Sequence, residues 1–131
     1  MTIDLLALVE HEILEWPGVT KEYAAGGPAT GRFFVPPATV YNVGRRQLGH
    51  IHYDGQEGIA DLLFPKNVHD ALITAGRAVP HGAGFAGVVS FYLRVPGDVP
   101  ALVELCRLGY DRVQGAAARR DPAQTNLAAG A

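Results

Sequence analysis

Two histidines one residue apart, His50 and His52, stand in the segment RRQLGHIHYDG, residues 45–55. In an extended chain side chains alternate between faces, so both imidazoles point the same way, roughly 6.6 Å apart along the strand. Arg46 and Leu48 are expected on that face with them. A face meant for the core would carry Val, Ile or Leu at these positions. Paired imidazoles instead suit bracketing a small ligand or chelating a metal, and the Arg46 guanidinium suits an anionic or enolic oxygen. A third histidine, His81, lies between Pro80 and Gly82-Ala83-Gly84, where glycine lets backbone approach a ligand closely. It is expected to close onto the His50/His52 face. The plain alternative is an exposed strand with ordinary surface histidines.

Asp61 shares a strand face with Ile59 and Leu63, where a carboxylate is out of place. It either orients an imidazole, as carboxylates behind a site do, or caps a local amide. Tyr92, with Ser90 and Arg94, makes a polar strand face that is solvent-exposed or the wall of a pocket. The expected assignment is therefore His50, His52 and His81 for catalysis, with Arg46, Asp61 and Tyr92 against the substrate. His11, among Glu10, Glu12 and Glu15, and His69 are expected to be solvated. Tyr110 reads as a packing residue.

The elements that must position these groups follow from periodicity. Leu5, Leu6, Val9, Ile13 and Trp16 fall on one stripe of a helix over 3–15, with Thr2 as its cap and Pro17-Gly18 as its end. Short strands are expected at 19–23 and 32–35, with the GGPATG run between them as a loop. Extended segments at 39–43 and 46–53 flank Gly44, and Asp54-Gly55 turns the chain into a strand at 59–64. Pro65 opens a helix over 66–75 that stops at Gly76. Val89, Phe91, Leu93 and Val95 alternate with Val88, Ser90, Tyr92 and Arg94 in a strand over 88–95. A last helix runs from Pro100 to about Val113, burying Leu102, Leu105 and Cys106. Helices at the start, middle and end around antiparallel strands make an α+β fold. The domain is expected over 1–113, with a disordered tail over 114–131.

Composition narrows the function classes. A chain of 131 residues holds one core rather than two. Its 11 basic and 13 acidic residues include no concentrated basic face, which argues against a nucleic-acid partner. The apolar N-terminus is broken by Asp4, Glu10, Glu12 and Glu15, unlike a secretory signal, and no stretch has the apolar length of a membrane span. With one cysteine no intramolecular disulfide forms, and the cytoplasm is the expected location. No nucleophile elbow or phosphate-binding loop is present, so acyl and phosphoryl transfer are set aside.

The string Arg46-Gln47-Leu48-Gly49-His50-Ile51-His52 resembles the Arg-Glu-(Ile/Leu)-(Ala/Gly)-His-x-His motif of the fungal luciferase domain family, which has many small bacterial members. The resemblance continues through Ala60-Asp61-Leu62-Leu63-Phe64-Pro65 and Ala75-Gly76-Arg77-Ala78-Val79-Pro80-His81. It runs on through Ser90-Phe91 to Leu108-Gly109-Tyr110, covering roughly 40–113. The family's named activity oxidises 3-hydroxyhispidin, an enolic pyrone, with molecular oxygen, releasing carbon dioxide and light. The resemblance implies an oxygenase-like site for an electron-rich enol. Gln47 stands where the family usually has Glu, and the Trp often found just before the Ser90 strand is missing. The membrane anchor of the fungal enzyme has no counterpart, in keeping with a soluble chain.

Two mechanisms and a bystander follow as expectations. In a site without cofactor, a neutral His50 or His52 takes the enol proton, and Arg46 or a second imidazolium holds the enolate. In the alternative, the three histidines hold a divalent metal, although the downstream Gly-Pro-Gly-His pattern of a cupin is absent. A binding module for an aromatic or anionic small molecule, without turnover, is the third. Oligomeric state is not legible in the sequence.

Overall fold

The computed structural model describes residues 2–28 and 34–120. Among them the elements run α1 (Leu5–Ile13), β1 (Val19–Ala24), β2 (Gly27–Pro28), β3 (Phe34–Val35), β4 (Ala38–Val43), β5 (Arg46–Tyr53), β6 (Gly58–Leu63), α2 (Lys66–Thr74), β7 (Val79–Pro80), β8 (Val88–Leu93) and α3 (Asp98–Arg120). Six strands form one antiparallel sheet in the order β1-β4-β5-β6-β8-β7, and β2 pairs with β3 apart from it. The fold is α+β, as the periodicity predicts. Residues 27–28, expected within a loop, form β2. Arg32 and Phe33, expected in the next strand, lie outside the described residues.

Local chemistry accounts for the main elements. Leu5, Val9 and Ile13 recur every four residues and are all buried, one stripe of a helix. Asp4, not Thr2, caps α1: its carboxylate accepts the Ala7 N–H at 3.0 Å, from the position three residues ahead that a cap must occupy. Gly44 adopts φ +59° at the first position of the two-residue link between β4 and β5, where a tight hairpin needs a positive φ. The last helix begins at Asp98 and continues to Arg120, past the end expected near Val113. Ala116, Ala117 and Ala118 favour helix strongly enough to carry it through the single Gly115. Residues 121–131, the remainder of the expected tail, lie outside the described residues.

The core lies on one side of the sheet. Ile51, Ala60, Leu62, Val89 and Leu93 meet Val9 and Ile13 of α1 and Leu102 and Leu105 of α3. Cys106 joins this core, and burial pushes its thiol pKa up to about 12, so it packs as a small hydrophobe rather than a nucleophile. The opposite residues of each strand, among them His50, His52, Asp61, Ser90 and Tyr92, look away from the helices.

One irregularity resets this alternation. Asn42 pairs with Gln47 but Tyr41 with Gly49, so Leu48 is an extra residue in β5, a β-bulge. Leu48 therefore turns into a core patch with Val43 and Tyr110 instead of sharing the histidine face. Strict period-two reading fails at this point, and Arg46 moves off that face with it.

Directly after the bulge, β5 and β6 come unusually close. A Cβ on Gly49 would lie 2.5 Å from the Asp61 carbonyl oxygen and 2.7 Å from Leu62 Cδ2. Real Cβ atoms do not approach a carbonyl that closely, so Gly49→Ala must push the strands apart. We expect it to lower unfolding free energy by about 1–3 kcal/mol, the usual cost of overpacking, read as a lower denaturant midpoint.

Candidate functional site

Strand register brings the chemistry together. His50 lies opposite Asp61, which lies opposite Ser90; in the next row His52 faces Ile59, which faces Tyr92. At the sheet edge β7 pairs Val79 with Ser90 and Pro80 with Val89, so His81 leaves the strand beside the same row. The Asp61 Oδ2 is the point of convergence. It lies 3.2 Å from His50 Nε2, 3.4 Å from His52 Nε2 and 3.6 Å from His81 Nε2. Its other oxygen accepts the Ser90 hydroxyl at 2.6 Å. The His50 and His52 rings meet edge to face, 5.0 Å between centroids.

Asp61 is only 4% exposed, while the imidazoles above it keep one edge toward solvent. Burial alone would raise the Asp61 pKa. The contact with His50, the Ser90 hydroxyl and the electrostatic pull of the His50 and His81 rings outweigh that, so the carboxyl is held below its ordinary value. The centre of the cluster is therefore a buried anion.

Hydrogen bonds at the far ring nitrogens fix the tautomers. His52 Nδ1 donates to the Pro37 carbonyl at 2.9 Å, since a carbonyl only accepts. That leaves a lone pair on Nε2 in the neutral ring. His50 Nδ1 donates to the Gln47 side-chain oxygen at 3.1 Å, with the same result. His81 is the opposite case: its Nδ1 accepts the Ala83 N–H at 3.0 Å, so the neutral ring carries its proton on Nε2. The loop that holds it closes through Gly84, at φ +77°, whose N–H reaches the His81 carbonyl.

Beside His52 opens a cleft of about 420 Å³. Pro36, Pro37, Ile59 and Tyr92 supply apolar and aromatic walls, and Arg94 stacks on Tyr92 with its guanidinium carbon 4.4 Å from the ring centroid. Among the described residues no carboxylate pairs with that guanidinium.

The site residues expected from sequence divide as follows. His50, His52, His81 and Asp61 come together, and Tyr92 lies in the adjoining cleft. Arg46 does not join them. The Leu48 bulge turns it into a separate groove with Arg45, Phe64, Gly109 and Arg112, and Gln47 takes its place beside His50. His69 is also not solvated: its side chain is 13% exposed and its Nδ1 lies 2.8 Å from Asp70 Oδ1. His11 is exposed, and Tyr110 packs, its hydroxyl donating to the Pro17 carbonyl. Sequence reasoning missed the Pro37 carbonyl, because a backbone acceptor leaves no trace in residue type.

Residues 45–109 match the family model of the luciferase domain, a stretch that contains all three histidines and Asp61. The chain belongs to the luciferase-domain family. No curated protein and no solved structure matches it. In this luciferase domain Gln47 contacts the site, its side-chain oxygen lying 3.1 Å from His50 Nδ1. An amide supports the same tautomer as a carboxylate but adds no charge. Among the described residues of the luciferase-domain chain no helix is long and apolar enough to cross a membrane.

Proposed function

We propose that this chain is an oxygenase-like enzyme acting on a planar enolic or aromatic small molecule. One observation carries the reading: three imidazoles converge on a buried carboxylate, and one of them, His52, also lines an apolar, aromatic-walled cleft. The cleft is within the size range of small-molecule sites. Family membership supports chemistry on an electron-rich enol. Pro36, Pro37, Ile59 and Tyr92 are suited to sandwich a flat ring, and Arg94 to meet an anionic substituent.

The reaction starts with transfer of the enol proton to the Nε2 lone pair of His50 or His52, or to water where a metal ion holds those nitrogens. The enolate then passes an electron pair from its C=C bond to molecular oxygen; a C–O bond forms, and the terminal oxygen of the new peroxide takes a proton. Asp61 brings a negative charge to the place where the enolate oxygen would sit. A cation held among His50, His52 and Asp61, either a proton on an imidazole or a metal ion, offsets that charge and steadies the oxyanion. The His81 Nε2–H is a further donor to it.

The test is oxygen uptake with a panel of enolic pyrones and hydroxy-aromatics. At least one is expected to be consumed, with His50→Ala slowing it by about 100-fold or more, the scale of a lost acid–base or electrostatic group. Saturable binding with the ligand recovered unchanged would reduce the protein to a binding module. Undiminished turnover in His50→Ala would remove the cluster from the reaction.

A further inference from the structure

Three electron-rich atoms face one another at the bottom of the site. His50 and His52 each turn Nδ1 to an acceptor, so in the neutral rings the lone pair is on Nε2, and both Nε2 atoms face the Asp61 Oδ2. Such an arrangement repels itself unless a cation lies between the atoms. If the cation were a proton on each ring, the charged N–H···O contacts would be about 2.7–2.9 Å. The observed separations of 3.2 and 3.4 Å are longer. They match the ~3.3–3.4 Å edge of a coordination tetrahedron whose ligand atoms lie about 2.0–2.1 Å from a metal. All three ligand atoms fall within 4.8 Å of one another.

The atoms behind the cluster have the form expected of a metal site as well. Metal-binding imidazoles donate their second nitrogen to a carbonyl or other acceptor, which fixes the ring and strengthens the ligand. The Pro37 carbonyl does this for His52 and the Gln47 amide for His50. The Ser90 hydroxyl occupies Asp61 Oδ1, leaving Oδ2 as the coordinating oxygen. His81 cannot play the same part. Its Nδ1 is taken as an acceptor by the Ala83 N–H, so its Nε2 carries a proton and has no lone pair to give.

We infer that His50 Nε2, His52 Nε2 and Asp61 Oδ2 bind one divalent first-row transition ion, with His81 outside the ligand set as a hydrogen-bond donor toward the open positions. From the sequence, the site was either without cofactor or a three-histidine metal centre. This ligand set is neither, because a carboxylate replaces the third imidazole. Two histidines and one carboxylate with positions left open is a donor set that suits iron(II) in oxygenases, and it also accepts zinc and cobalt. The inference deepens the proposed function by naming the cation at the cluster, but metal binding is measured without any substrate.

The experiment titrates Zn(II) by calorimetry and Co(II) by visible absorption into untagged full-length protein stripped with chelator. One ion per chain is expected, with cobalt bands of a nitrogen–oxygen site. His52→Ala and Asp61→Asn should each weaken binding by about 100-fold or more, and His81→Ala by less than about 10-fold. Circular dichroism on each variant separates loss of ligand from loss of fold, and Asp61→Asn keeps the side-chain shape if the alanine variant unfolds. The inference is overturned by no saturable binding at micromolar metal, or by binding that survives both ligand variants. It is equally overturned if His81→Ala costs as much as His52→Ala. None of these results bears on whether an enol is oxidised, so the two readings fail separately.

Discussion

Asp61→Asn is expected to lower turnover by two orders of magnitude or more while the protein stays folded. The carboxylate is the one atom group that all three imidazoles approach, at 3.2, 3.4 and 3.6 Å. An amide in its place keeps the volume and can still accept the Ser90 hydroxyl. It removes the charge that fixes the cluster's electrostatics, and its NH2 end would turn a donor toward the rings. Changes of this kind, which keep shape and lose charge, separate function from packing. The measurement is kcat/KM beside a denaturant melt of the same sample. Unchanged kcat/KM would make Asp61 a structural residue. Loss of the folded state would show that the buried anion stabilises the sheet rather than the reaction.

The second large effect lies on the other side of the sheet. Leu102 is fully buried where α3 crosses the strands, in the same cluster as Ile51, Val89 and Leu93. Leu102→Ala removes three carbons from a packed interior and leaves a cavity there. We expect about 2–5 kcal/mol of lost stability, with the spread set by how far the neighbours collapse. For a domain of this size that is a large share of the total. Equilibrium urea unfolding would show it as a lower midpoint at unchanged slope; a shift below 0.5 kcal/mol, against the same principle, would mean α3 is not essential to the core.

The sequence carried the fold well where periodicity was regular. The α1 stripe, the alternation of β8 and the glycine links after β4 and α2 each have a physical signature in residue type. It carried less where tertiary context decided the outcome. The bulge at Leu48 has no composition signal of its own, yet it moved Arg46 off the histidine face and brought Gln47 onto it. The end of α3 lies past the expected Val113: the Ala, Gly and polar residues beyond Gln114 carry no apolar stripe, whereas the alanines among them extend the helix. Asp61 could be flagged as a carboxylate in the wrong place, but not chosen over an amide cap without the strand register that sets it opposite His50. The Pro37 carbonyl could not be found at all, since every residue has one.

Among the described residues the helices α1, α2 and α3 contact the sheet or each other on the side away from the cleft, and Ile59, Tyr92 and Arg94 are exposed on the near side. These three side chains of the cleft wall are thus uncoupled from the packing that holds the chain together. Exposed positions of this kind usually tolerate exchange within about 0.5 kcal/mol. A lineage with this scaffold can therefore exchange these three side chains while the imidazoles converging on Asp61 stay as they are.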